Sequence, residues 1–146
     1  MSIQEKFKFY AATYLVLAKD NQILLLRRFN TGYQDGNYSL VAGHLDGGET
    51  AKECMIREAR EEVGIDLNPE DLEVVHVLHH ISTDREYFDI YIRASHWAGE
   101  VTNMEPEKCD ELMWCDLNAL PDNILPDIKQ VLEDIKKGVH YGEFGF

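Results

Sequence analysis

Apolar positions along the chain change their period several times, and those changes predict its elements. Residues 9–18 (FYAATYLVLA) and 22–28 (QILLLRR) are β-type runs separated by Lys19-Asp20-Asn21, a turn signal, so a hairpin is expected. A polar, glycine-containing loop follows from Asn30 to Asn37, then a short strand near Tyr38–Ala42. Residues 72–81 (LEVVHVLHHI) and 86–94 (EYFDIYIRA) predict a second hairpin around Ser82-Thr83-Asp84-Arg85. A last strand is expected at Leu112–Leu117. A helix is expected from about Pro126 to Lys137, with proline at its start and lysines near its end, as helix polarity favours. Hairpins with two interspersed helices point to a mixed α/β sandwich in one domain, residues 1–146. The pattern alone leaves the strand order open.

The first helix carries the chemistry. Thr50 followed three residues later by Glu53 is a capping box, and Gly64 is placed as a C-terminal cap, which predicts a helix from about Thr50 to Val63. At helical spacing Met55, Ile56, Ala59 and Val63 share one side and are expected to pack on the sheet. Glu58, Glu61 and Glu62 cluster on the other side at i, i+3 and i+4. Like charges so close destabilise a bare helix by about 0.2–0.5 kcal/mol per pair. A hard divalent cation converts that repulsion into binding, because Mg²⁺ and Mn²⁺ prefer carboxylate oxygens. Glutamate-rich helix faces are more often merely solvated, so the spacing must be weighed with its surroundings. A glycine-rich turn ending in Glu49 feeds the helix, and Arg57 can reach Glu53, Glu61 or Glu49 and so hold the carboxylates in place.

Charge narrows the partners. The chain has 27 acidic against 14 basic residues, a formal net charge of −13, which disfavours a large polynucleotide footprint. A small phosphorylated substrate remains compatible where a metal and a few arginines meet it. Cys54, Cys109 and Cys115 are too few and too irregular for a disulfide framework or a zinc quartet, so a reducing, cytoplasmic setting is expected. Met1 to Lys8 has no apolar signal core, and no apolar run approaches bilayer length, so no membrane partner is expected.

Gly43, five residues, Glu49, seven residues, then Arg57-Glu58-Ala59-Arg60-Glu61-Glu62-Val63-Gly64-Ile65 resembles the complete signature of the Nudix hydrolases. The flanking strands and chain length resemble MutT-like members over nearly the whole chain. The resemblance implies an α/β/α sandwich with a mixed β-sheet between helices. It also implies Mg²⁺- or Mn²⁺-dependent hydrolysis of a nucleoside diphosphate linked to another moiety. Carried over by position, Glu58, Glu61 and Glu62 match metal ligands, with Glu58 or a loop glutamate a candidate base. The Ala42 carbonyl matches a further ligand, and Glu49 with Arg57 matches the pair that orients them. His44 is a departure, since many members carry another residue after the glycine.

Some members recruit another glutamate from the loop before the last strand, and here Glu105 and Glu107 are the candidates, with Glu111 third. Arg28 matches a nucleotide-facing position and can hold phosphate bidentately, while Arg27 should alternate to the other face. Asn123 stands near a base-reading asparagine of MutT-like relatives, but one residue out of register, so capping the last helix is the expected role. Tyr33, Tyr38 and Phe88 are candidates to stack on a base, against the commoner fate of filling the core. His76 and His80 share a strand face with no cysteine pattern nearby, so zinc is not expected there. Cys54 lies one turn before Glu58, either a small filler or a redox-responsive thiol. The tail His140–Phe146 carries three aromatics, which suggests a cover for the domain or for a second subunit of a homodimer.

The sequence therefore points first to a nucleoside triphosphate pyrophosphohydrolase releasing NMP and pyrophosphate. Other diphosphates, such as a nucleotide sugar or a pterin triphosphate, come second. An isopentenyl diphosphate isomerase-like reading and a non-catalytic metabolite-binding domain stand further off, since no glutamate of the signature is missing.

Overall fold

The computed structural model describes residues 5–146. Strands β1 (Tyr10–Lys19) and β2 (Gln22–Arg28) form the first hairpin, whose turn residues Asp20 and Asn21 take left-handed φ of 52° and 64°. Short polar side chains tolerate that region, which is why Asp and Asn stand there. The two strands pair only at Ala18–Lys19 against Gln22–Ile23 and then diverge. Along the rest of its length β1 pairs in parallel with β6 (Glu86–Ala94), and Ala12–Tyr14 also pairs with β4 (Ala42–His44). β2 in turn carries β3 (Tyr38–Ser39) and β7 (Cys109–Asp116). β6 pairs antiparallel with β5 (Leu72–Ile81), the expected second hairpin.

Helix α1 (Ala51–Val63) packs on one face of this mixed sheet and α2 (Pro126–Lys136) on the other. Strand alternation sets the division. Leu15, Leu17 and Ile92 face Met55, Ala59 and Val63 of α1, while Val16 and Tyr91 face Ile128, Val131 and Leu132 of α2. The result is an α/β/α sandwich. Among the described residues no helix is long and apolar enough to cross a membrane.

Three expectations need correction, and the aromatic tail finds its place. The single strand near Tyr38–Ala42 is two short ones, because Leu40 and Val41, both about 2% exposed, carry the chain from the edge of β2 to the edge of β1. The last long strand starts earlier, at Cys109, and ends at Asp116. The aromatic tail becomes a strand, β8 (Tyr141–Phe144), parallel to β5 of its own chain. Asn123 does not cap α2; the cap position is Leu125, with no side-chain hydrogen bond.

Candidate active site

The capping box forms as expected: the Glu53 amide donates to Thr50 Oγ1 (3.1 Å) and the Thr50 amide to Glu53 Oε1 (3.4 Å). Gly64 ends α1 at φ 70°, where a side chain would be strained. With Glu53 occupied by the cap, Arg57 turns back to the loop. Its Nη2 and Nε donate to the two carboxylate oxygens of Glu49 (2.9 and 3.3 Å), and its Nη1 donates to Glu58 Oε1 (2.8 Å) and lies 3.6 Å from Glu61 Oε2. The Arg57 guanidinium holds the Glu49 carboxyl below its usual range, and Glu49 with Glu58 raises Arg57 further. Arg57→Lys keeps the charge but loses the fork. It is expected to weaken Mn²⁺ binding and turnover by about 10–100-fold, as loss of ligand-orienting groups does. Titration of Mn²⁺ alongside kcat would check this.

Gly43 on β4 runs beside Glu58 so closely that a Cβ there would lie 2.2 Å from Glu58 Cδ. Glu61 is exposed while Glu58 and Glu62 are half-buried, and among the described residues nothing hydrogen-bonds the buried Oε2 of Glu62. Burial, with Glu58 and then Glu105 adding negative charge, pushes the Glu62 carboxyl up to about 9, against a partial offset from the Ala42 backbone. An orphaned buried oxygen, three carboxylates and a glycine cleared for one of them make a donor set suited to a hard divalent cation.

These groups open into a cavity of about 620 Å³ lined by Glu58, Glu61, Glu62, Ala42, Glu105 and Arg28. Lys108, which no sequence pattern had singled out, lines it too. Glu107 is exposed and does not line the cavity, and Glu111 lies 3.2 Å from Arg27 Nη1. Arg27 and Arg28 do face opposite ways. Arg27 pairs with Asp110 and Glu111, whereas Arg28 donates to the Tyr33 carbonyl (2.7 Å) and Thr31 Oγ1 (3.1 Å) at the cavity wall.

A second cavity of about 570 Å³ adjoins the first, sharing Arg28, Ala42 and His44. Its walls include Tyr14, Tyr33, His80 and Tyr87, and the Tyr87 ring stacks on both His44 and His80. Strand register brings Tyr14, His80 and Tyr87 together, so of the tyrosines only Tyr33 had stood out from the sequence as a stacking candidate. Tyr38 is 7% exposed, packs in the core with Arg27 above its ring, and lines neither cavity. Asn123 also lines neither; its Nδ2 donates to the Gly36 carbonyl (2.8 Å) and ties the 30–37 loop to the start of α2. Phe88 packs with Phe9 and His79. Cys54 is fully buried, its Sγ 3.4 Å from Thr13 Oγ1, and burial pushes its thiol up, which opposes a redox role.

A fold and a carboxylate helix of this kind define a class, and the comparisons give it a name. The NUDIX domain family model matches residues 8–135, so the chain belongs to the Nudix hydrolases, enzymes of phosphoric anhydrides that generally use a divalent metal. It is 30% identical over 111 residues to the NAD-capped RNA hydrolase NudC of Stutzerimonas stutzeri, covering 73% of this chain and 37% of the relative. The Vibrio atlanticus NudC is 25% identical over 139 residues, 89% of this chain and 48% of the relative. The chain thus spans less than half the length of these curated relatives. Among solved structures, a MutT NUDIX hydrolase from Burkholderia pseudomallei superposes with a TM-score of 0.80 at 25% identity, covering 87% of this chain and 98% of that one. The E. coli ORF135 protein shares the fold at TM-score 0.76 and 23% identity, covering 89% and 90%.

Proposed function

We propose that the protein hydrolyses a nucleoside triphosphate to the monophosphate and pyrophosphate, with Mg²⁺ or Mn²⁺ held by Glu58, Glu61, Glu62, the Ala42 carbonyl and Glu105. The observation that carries this reading is the pair of adjoining cavities, acidic on one side and aromatic on the other, joined at Arg28. A divalent cation there supplies the positive charge that neutralises the phosphates as charge develops in the transition state. Arg28, its guanidinium braced by Tyr33 and Thr31, binds phosphate oxygens at the junction, and Lys108 adds a second positive charge. The rings of Tyr14, Tyr87 and His44 receive the base. Glu58 or Glu105 takes the proton of the attacking water as the new P–O bond forms and the anhydride P–O bond breaks. Arg57 and Glu49 keep Glu58 in position for that transfer.

A second reading has its own support. The NudC relatives are named for NAD-capped RNA, which favours a dinucleotide diphosphate of the NAD type. The charge of −13 speaks against a long RNA footprint, so the dinucleotide end is the part that fits this chain.

The test is a screen with Mg²⁺ or Mn²⁺, read as phosphate liberated from the products by added pyrophosphatase or phosphatase, over nucleoside triphosphates, oxidised nucleotides, nucleotide sugars, pterin triphosphates and NAD, with Glu61→Gln as control. One preferred triphosphate, yielding pyrophosphate and losing its signal in the control, is expected. Preferential cleavage of NAD to two mononucleotides would put the second reading in place of the first. No turnover of any diphosphate would overturn both. Chelation is expected to abolish turnover while circular dichroism still reports a folded protein, because the core is built from apolar contacts that no metal ligand takes part in.

A further inference from the structure

We propose that His80, Asp89 and Asp127 form a second cation site, distinct from the α1 glutamates and suited to a first-row transition metal such as Zn²⁺. The three residues come from β5, β6 and the first turn of α2, and one potential ligand atom of each lies within 4.8 Å of the others. Asp89 is 0% exposed; its Oδ2 lies 3.2 Å from His80 Nδ1, and among the described residues its Oδ1 has no hydrogen-bond partner. A buried carboxylate oxygen left without a partner is costly, and interiors rarely tolerate one. Among the described residues Asp89 pairs only with His80, and no lysine or arginine forms an ion pair with either aspartate. Two carboxylates therefore face one imidazole, and a cation supplies the missing charge and the missing partner.

The donor set decides the metal. An imidazole nitrogen with two carboxylate oxygens suits Zn²⁺ or Mn²⁺ better than Mg²⁺ or Ca²⁺, which favour all-oxygen shells. Ligand bonds of about 2.0–2.2 Å hold donor atoms within roughly 4.4 Å of one another, so the cluster needs only a small side-chain adjustment. His80 lines the second cavity, which opens to solvent and gives the ion a path. The missing cysteine pattern argued against zinc at this histidine, but its partners are carboxylates distant in sequence.

The α1 site must be silenced to test this. In a Glu58→Gln, Glu61→Gln, Glu62→Gln background, calorimetric titration with Zn²⁺ is expected to show one tight equivalent. Co²⁺ is expected to develop a visible d–d absorption in the same protein. Adding Asp89→Asn or Asp127→Asn should weaken binding at least tenfold and remove the absorption, with circular dichroism reporting the fold. Asp127 is only half-buried, so its variant decides the matter if Asp89→Asn does not fold. Failure of the triple variant to bind Zn²⁺ or Co²⁺, or binding that neither aspartate substitution changes, would overturn the site. Neither outcome touches the hydrolysis proposal, which the Mg²⁺ screen tests alone.

Discussion

Glu62→Gln is expected to lower kcat by about 10²–10³-fold, the scale seen when a charge-stabilising group is removed, while making the metal-free protein more stable above neutral pH. Glu62 is enclosed beside Glu58, with one oxygen lacking a partner. Its carboxyl is raised to about 9, so the folded state binds a proton that the unfolded chain releases near its ordinary value. The stability that this proton brings is complete below the unfolded pKa, about 4.3 for glutamate, and is lost as pH rises through the folded value. The metal-free parent should therefore melt at progressively lower temperature from about pH 5 to pH 9, and the glutamine variant should lose most of that slope. Melting curves across this range, with and without Mn²⁺, would check it. Added Mn²⁺ should raise the melting temperature of the parent and much less that of the variant, since only the parent binds it tightly. A variant with parental kcat would remove Glu62 from the ligand set.

Gly43→Ala should damage both the site and the fold. The added Cβ would stand 2.2 Å from Glu58 Cδ and 2.4 Å from both its Cγ and Oε1, far inside contact distance. Glu58 can swing away only by giving up its 2.8 Å contact with Arg57, which is itself held on Glu49. Overpacking of this kind costs about 1–3 kcal/mol, and in a chain of this size each kcal/mol lowers the melting temperature by about 2–4 °C. Displacement of Glu58 should also lower kcat by about 10²-fold, because small misplacements of a reacting group carry penalties of that order. A double-mutant cycle separates the two effects. In a Glu58→Ala background the same glycine substitution should cost little stability, because the clash is gone, while turnover stays low. An unchanged cost in that background would place the strain elsewhere.

What the sequence determined by itself was the local part. The limits of α1, its cap at Thr50 and Glu53, its end at Gly64 and its buried side at Met55, Ala59 and Val63 all depend on residues within one turn of each other. Periodicity and capping act over that range, so they could be read in advance. The opposite facing of Arg27 and Arg28 follows from strand alternation in the same way.

Tertiary structure decided the rest. The three glutamates share a side by spacing, but the chain after β6 makes their environments differ. Thr102 donates to the Val63 carbonyl and Met104 to the Glu62 carbonyl, which lays that segment along the end of α1. Glu105 is thereby brought to the cavity and Glu107 left in solvent, a choice that a run of acidic loop residues does not reveal. The split of residues 38–44 between two sheet edges, the docking of the tail on β5, and the meeting of His80 with Asp89 and Asp127 are likewise long-range. Each depends on strand register and loop closure between distant residues, and no local pattern encodes those.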